Sequence, residues 1–333
     1  MKILIATDAW QPQVNGVVRT LKTTVGELTR QGHEVRIVHP GEFLNFPCYV
    51  YPEIHLAMPG EMQVDDQISA FDPDAIHIAT EGPIGYHARR FCLRKKFRFT
   101  TSYHTKFPEY LRTYFWLPLV LGYHFMKWFH RKSSRVMVAT RSVERELRFW
   151  GFRNRMVRWS RGVDTDLFHP RARSFPVGHR PILLYVGRVS REKNVEAFLN
   201  LRTTGTKYVV GDGPQRSELE KRYPEAVFLG PLAGDKLAEA YANADVMVFP
   251  SKTDTFGLVI LEALASGVPV AAYPAPGPMD ILGVPGAGAM DEDLQVAVDR
   301  ALAQRDPVAC VAVARKYSWE NCTRQFLDNL VVV

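Results

Sequence analysis

The chain has 333 residues, 46% apolar and 23% charged, with a formal net charge of +7. That length suits two domains of ordinary size, and the balance excludes a disordered or fibrous chain. No apolar run approaches the roughly 20 residues needed to span a bilayer.

Charge is unevenly spread. Residues 86–161 carry 19 Lys and Arg against 3 Asp and Glu, a balance of +16, while the remainder carries −9. One region is therefore built to meet something anionic. Cys48, Cys92, Cys310 and Cys322 lie far apart and form no metal-type pair, which fits a reducing cytoplasmic compartment.

In chain order, Lys2 to Thr7 reads as a strand, and Met1 to Trp10 lacks the apolar core of a signal peptide. Asp8 to Val17 is a loop bearing Pro12 and Gly16, where a lone glycine is ordinarily a turn. Thr20 to Arg30 follows as a helix and Glu34 to His39 as a second strand. Strand, helix and strand in succession point to an α/β fold with parallel sheets. Ala75 to Ala79 and Phe97 to Ser102 are further strands. The second delivers His104 just past its carboxyl end, where open α/β sheets bind ligands, although a single histidine is more often structural.

Leu111 to Arg135 interleaves aromatic and aliphatic residues with Arg112, Lys127, Arg131, Lys132 and Arg135. Trp and Tyr among bases suit an interfacial segment on anionic lipid. The alternative is a helix pair packed on the sheet with its bases solvated. Pro118 and Gly122 argue against one continuous helix. The same charge could attract RNA or DNA, but no nucleic-acid-binding motif occurs.

Val136 to Thr140 and Val157 to Ser160 are strands, with a helix at Ser142 to Phe149 between them. Asp164-x-Asp166 raises the question of a divalent metal. Arg171 to Arg180 reads as a linker, and a second α/β series begins at Pro181. Ile182 to Val186 is a strand whose exit loop carries Arg188 and Lys193. Lys207 to Val210 leads to Gly211-Asp212-Gly213, which lacks the third glycine of a dinucleotide fingerprint. Val227 to Gly230 precedes Leu232, and Asp235 to Ala242 is a helix. The tail is helical over Asp291 to Ala303 and Val308 to Leu330, with a break near Tyr317 to Glu320.

Residues 250–270 hold the densest signal. An apolar strand, Val246 to Phe249, stops at Pro250. Leu258, Leu261, Leu264 and Ala265 then recur at helical spacing, and Gly267 and Pro269 end the helix. The N–H groups from Thr255 through Phe256 and Gly257 to Leu258 can hold a diphosphate at the helix start. Asp254 and Glu262 flank them as acceptors for sugar and ribose hydroxyls. The plain alternative makes Asp254 an N-cap and Glu262 a solvated helix residue.

Asp-x7-Glu in this setting resembles the Glu-x7-Glu signature of family 4 retaining glycosyltransferases (glycosyl transferases group 1). Asp254 stands where that signature has its first Glu. The swap occurs in the branch resembling sulfolipid synthases, diacylglycerol glycosyltransferases and GDP-mannose-dependent mannosyltransferases. The resemblance implies the GT-B fold: two Rossmann-like domains facing across a cleft, here 1–168 and 169–333. The last helix, about 317–333, would cross back to the first domain.

The resemblance also implies roles. Pro12 to Leu21 is similar to the family's glycine loop, where Gly16 lets the backbone approach the donor phosphate. His104, in a His-Thr-x-Phe-Pro segment, would contact the donor sugar. Arg188 and Lys193 would neutralise the departing diphosphate. Gly211 and Gly213 would lie beside the nucleotide, Leu232 beside the base, Asp254 on the sugar and Glu262 on the ribose. Gly-Val-Asp-x-x-x-Phe-x-Pro from Gly162 enters the interdomain linker, so Asp164 and Asp166 are expected to be structural.

The expectation is a retaining hexosyltransferase using a nucleoside-diphosphate sugar, UDP favoured, with no cofactor and no obligatory metal. Its acceptor would be a lipid such as diacylglycerol. It would sit peripherally on the anionic inner face of the cytoplasmic membrane through residues 86–161, without nucleic acid. Mannosyl transfer from a GDP-sugar, transfer to a soluble or polymeric glycan, a nucleotide-sugar epimerase of similar fold, and a basic nucleic-acid-binding module remain as alternatives.

Overall fold

A computed structural model of the chain describes residues 1–48, 54–173 and 178–333. Residues 174–177 of the expected linker lie outside the described residues. The chain divides into unit 1, Met1–Arg161 with Trp319–Val333, and unit 2, Gly162–Ser318. Residues 162–168, assigned to the first domain on sequence, thus fall in unit 2.

Unit 1 runs β1 (Lys2–Ala6), α1 (Gly16–Arg30), β2 (Glu34–Val38), β3 (Asn45–Pro47), β4 (His55–Ala57), α2 (Glu61–Phe71), β5 (Ala75–Ile78) and α3 (Pro83–Lys95). It continues with β6 (Thr100–Tyr103), α4 (Phe107–Phe115), α5 (Leu119–His130), β7 (Arg135–Val138), α6 (Arg141–Phe149) and β8 (Met156–Arg158). Unit 2 holds β9 (Ile182–Val186), α7 (Val195–Leu199), β10 (Thr206–Val210), α8 (Arg216–Arg222), β11 (Val227–Gly230), α9 (Gly234–Asn243) and β12 (Val246–Phe249). After these come α10 (Leu258–Ala265), β13 (Val270–Ala272), α11 (Pro278–Ile281), β14 (Gly288–Met290), α12 (Leu294–Ala303) and α13 (Pro307–Ala314). The closing helix α14 (Trp319–Asn329) belongs to unit 1.

Each unit is built on a six-stranded parallel sheet, ordered β2-β1-β5-β6-β7-β8 in unit 1 and β11-β10-β9-β12-β13-β14 in unit 2. Parallel sheets need cover on both faces, and the strand alternation supplies it. In β1, Leu4 and Ala6 face α2 and α3 through Val64, Ile68, Ala88 and Phe91. Ile3 and Ile5 face α1 and α14 through Leu21, Leu28, Cys322 and Phe326. Phe326 is fully buried, so its truncation to Ala would cost about 3–5 kcal/mol.

Two features of unit 1 have local reasons that the sequence expectation did not include. α1 begins at Gly16 rather than Thr20 because the Asn15 side chain accepts from the Val17 and Val18 amides at 3.0 and 2.9 Å. Gly16 is therefore a first-turn helical residue. The chain breaks between α4 and α5 only at Trp116–Pro118. Gly122 stays helical, since it permits close packing: a Cβ there would lie 2.7 Å from Pro108 Cβ.

Candidate functional site

In unit 2 the predicted residues leave the carboxyl ends of four neighbouring strands. Leu232 follows β11, Gly211 and Gly213 follow β10, Arg188 and Lys193 follow β9, and Asp254 follows β12. The connections turn in opposite directions from β9, so the crevice between β9 and β12 is the topological switch point where such sheets bind ligands. Lys193 and Asp254 meet there, with Nζ 2.6 Å from Oδ1.

The two loops are stitched together. Thr253 Oγ1 donates to the Glu192 carbonyl at 3.0 Å, and Asn194 Nδ2 donates to the Pro250 carbonyl at 3.4 Å. Ser190 Oγ donates to the buried Glu192 carboxylate at 2.6 Å. Lys193 is thereby aimed from a short 3-10 turn whose neighbours are fixed. Arg188 is half-buried, and its carbonyl accepts from Tyr185 Oη at 2.6 Å.

Gly257, with φ +89°, is the N-cap of α10, and a Cβ there would lie 2.9 Å from Ile260 Cδ1. As a glycine it offers no side chain to cap the helix start. Asp254 is therefore not an N-cap. The Thr255 and Phe256 side chains are buried, and the Phe256 ring meets Tyr317 edge-on at 5.8 Å. Leu258 is half-buried and opens the helix. This turn can thus offer backbone N–H groups, with the dipole of α10, to an anion.

Glu262 is not solvated: it is 2% exposed and accepts from Tyr241 Oη at 2.8 Å. The sequence of α10 carries the sign of this, because a helix apolar on every side is a buried one. Gly211 and Gly213 have a packing reason of their own. A Cβ on Gly211 would lie 1.9 Å from the Gly187 carbonyl oxygen, and one on Gly213 would lie 2.4 Å from that of Val189. Both glycines let the β10 exit loop lie flat against the β9 exit loop. Leu232 is half-buried.

In unit 1, His104 follows β6 and is buried beside Arg161, whose Nη2 lies 2.9 Å from His104 Nδ1. A guanidinium can only donate, so Nδ1 accepts and the imidazole proton sits on Nε2. Burial and then the Arg161 charge hold the His104 pKa well below its ordinary value. Arg161 is itself buried, donates to the carbonyls of Trp159 and Ser160 at 2.7 and 2.8 Å, and has its pKa pushed down to about 10 by burial. Sequence reading missed Arg161, because only the fold brings it to His104.

Asp164 Oδ1 accepts from the Asp166 and Leu167 amides at 3.1 and 3.0 Å, so it stabilises a turn. Among the described residues, no group of three or more His, Cys, Asp or Glu could hold a metal ion.

The α4–α5 corner exposes a run of large apolar side chains: Phe115, Trp116, Val120, Leu121, Phe125 and Trp128, with Trp116 at 88% exposure. Arg112 of α4 is exposed, as are Arg131 and Lys132 just past the end of α5. Beneath them, Tyr123 stacks on Trp150 at 4.1 Å, and Arg89 lies 4.3 Å from the Trp128 ring. Among the described residues, no helix is long and apolar enough to cross a membrane.

Comparison with known proteins accounts for both units. Residues 14–167 match the profile of Glycosyltransferase Family 4, and residues 180–304 match that of Glycosyl transferases group 1. The chain is 31% identical to the sulfoquinovosyl transferase SQD2 of Arabidopsis thaliana over 81% of its length, spanning 58% of the plant protein. It is 31% identical to a GDP-mannose-dependent alpha-mannosyltransferase of Mycobacterium tuberculosis, covering 85% of this chain and 81% of that one. It is 25% identical to the alpha-monoglucosyldiacylglycerol synthase of Streptococcus pneumoniae, covering 83% and 72% respectively.

Among solved structures, sucrose-phosphate synthase of Thermosynechococcus elongatus superposes with a TM-score of 0.77 at 20% identity, over 98% of this chain and 97% of that one. Anabaena HepE in complex with UDP and glucose superposes with a TM-score of 0.72 at 16% identity, over 98% of each chain. The fold is thus that of the GT-B glycosyltransferases. With both units matched, and a relative 31% identical along 81% of its own length, the chain belongs to glycosyltransferase family 4.

Proposed function

We propose that the chain transfers a hexose from a nucleoside-diphosphate sugar to a lipid hydroxyl, such as that of diacylglycerol. The transfer takes place at the inner face of the cytoplasmic membrane, with retention of configuration and no obligatory metal. Unit 2 takes the donor. Arg188, Lys193 and the amides at the start of α10 meet the charge that grows on the departing diphosphate, which is where such groups lower a barrier most. Asp254 accepts hydrogen bonds from sugar hydroxyls. Glu262, oriented by Tyr241, takes the ribose.

His104 donates from Nε2 to a sugar hydroxyl. The acceptor oxygen forms its bond to the anomeric carbon on the face from which the phosphate oxygen leaves. Its proton passes to that phosphate oxygen.

The observation that carries the lipid acceptor is the α4–α5 corner. An apolar surface led by Trp116 and accompanied by Arg112, Arg131 and Lys132 suits insertion among anionic headgroups. The name of the Streptococcus pneumoniae relative, a diacylglycerol-linked product, agrees with it. UDP is the favoured donor base, in keeping with the HepE complex. The Mycobacterium tuberculosis relative supports GDP-mannose as a second reading.

A thermal-shift series with UDP, GDP and ADP separates these readings. A ligand at 100 times its Kd adds about 2.7 kcal/mol of stability. A shift with UDP alone supports the first reading and a shift with GDP alone the second. No shift with any of the three would remove the donor assignment.

A further inference from the structure

Unit 1 has a second charged feature that the transfer reaction does not use. Arg141, Glu144, Arg145 and Arg148 of α6, with Arg158 at the end of β8, line an open depression of about 390 Å³. Arg141, Arg145 and Arg148 recur at i, i+4 and i+7, so their side chains share one face of the helix. Like charges at that spacing weaken a helix, and cations near its first turn oppose the dipole. Glu144 lies among them, with Oε2 3.3 Å from Arg158 and Oε1 3.8 Å from Arg148. The lining keeps four guanidinium groups against one carboxylate.

We infer that this depression is a binding site for a phosphate group. The planar fork of Arg matches phosphate oxygens in pairs, and an anion there relieves both the mutual repulsion and the unfavourable dipole. α6 leaves the carboxyl end of β7, and Arg158 ends β8. β7 is also the neighbour of β6, which delivers His104. α6 therefore starts from the strand next to the one that delivers His104. Phe149, exposed at the end of α6, borders Trp150, which stacks on Tyr123 of α5. The proposal is carried by unit 1 alone and stands whichever sugar donor unit 2 takes.

The test uses the intact protein with inorganic phosphate, and with phosphatidylcholine vesicles containing or lacking phosphatidylglycerol. Three variants are compared: the pair R141Q/R145Q, the equal-charge control K95Q/R98Q on an exposed stretch around the end of α3, and E144Q. Wild type and the control bind phosphate saturably and alike. The pocket pair loses about tenfold or more, as expected for charge-assisted Arg–phosphate bonds. E144Q binds phosphate more tightly than wild type, a gain that misfolding cannot imitate.

If the pocket pair also loses about tenfold more vesicle affinity than the control, the phosphate is that of a lipid headgroup. If vesicle binding falls equally in both pairs while phosphate binding separates them, the site takes a soluble phosphorylated molecule. Equal phosphate affinity in wild type, the pocket pair and E144Q overturns the proposal.

Discussion

Lys193 Nζ and Asp254 Oδ1 lie 2.6 Å apart, joining the exit loops of β9 and β12 across 61 residues of sequence. Each side chain is only partly buried, so the pair is open to ligand. In the function proposed above, a diphosphate takes the lysine and the carboxylate is released to sugar hydroxyls. Lys193→Ala and Asp254→Asn should each lower kcat/KM by about a hundredfold or more. Because the two groups are in contact, a double-mutant cycle should show a coupling of about 0.5–3 kcal/mol. Additive losses would mean that the pair does not act as a unit.

In the proposed mechanism Arg161 acts through His104, 2.9 Å away. Arg161→Gln removes a charge that lowers the His104 pKa, so that pKa should rise. The acid limb of the kcat profile should then move toward neutral pH, with a smaller change in KM. A variant whose activity falls with an unchanged pH profile would show Arg161 to be merely structural.

His77 gives the fold a pH dependence. Its ring lies between Thr100 Oγ1 at 2.9 Å and Ser102 Oγ at 3.0 Å, fully buried, and burial pushes its pKa down to about 3 from 6.5. Between those values the unfolded chain binds a proton that the native chain does not, so stability falls as pH falls. The contribution is fully present above pH 6.5. The slope is about 1.4 kcal/mol per pH unit for one such group, and His104 shifts in the same direction. Urea unfolding at successive pH values below neutrality should show this decline, and His77→Gln should flatten it.

The α4–α5 corner separates folding from surface. Trp116→Ser, at an exposed position, should change stability by less than about 0.5 kcal/mol yet weaken binding to anionic vesicles several-fold. Gly122→Ala should do the reverse. Its Cβ would fall 2.9 Å from Pro108 Cα, forcing the helices apart at a cost of about 1–3 kcal/mol.

Much of this was legible because the signals are local. β9, β11 and β12 begin and end where their apolar runs do. The start of α1 was not, because it depends on the Asn15 side chain reaching two amides, a choice that apolar spacing does not reveal. β6 begins at Thr100 rather than Phe97; the Phe99 side chain is apolar because it fills the core with Phe91. The residues of the β9 and β12 exit loops could be named from their motifs, but the Lys193–Asp254 contact could not. Arg161 was invisible for the same reason: its partner lies 57 positions away.

The most direct measurement is the transfer of labelled sugar from UDP-glucose and from GDP-mannose into diacylglycerol-containing vesicles, by wild type and by Lys193→Ala. The account predicts label in the lipid phase, in the donor's anomeric configuration, from one of the two donors. Lys193→Ala should lower the rate by about a hundredfold or more. Label confined to the aqueous phase, or an equal rate in Lys193→Ala, would contradict it.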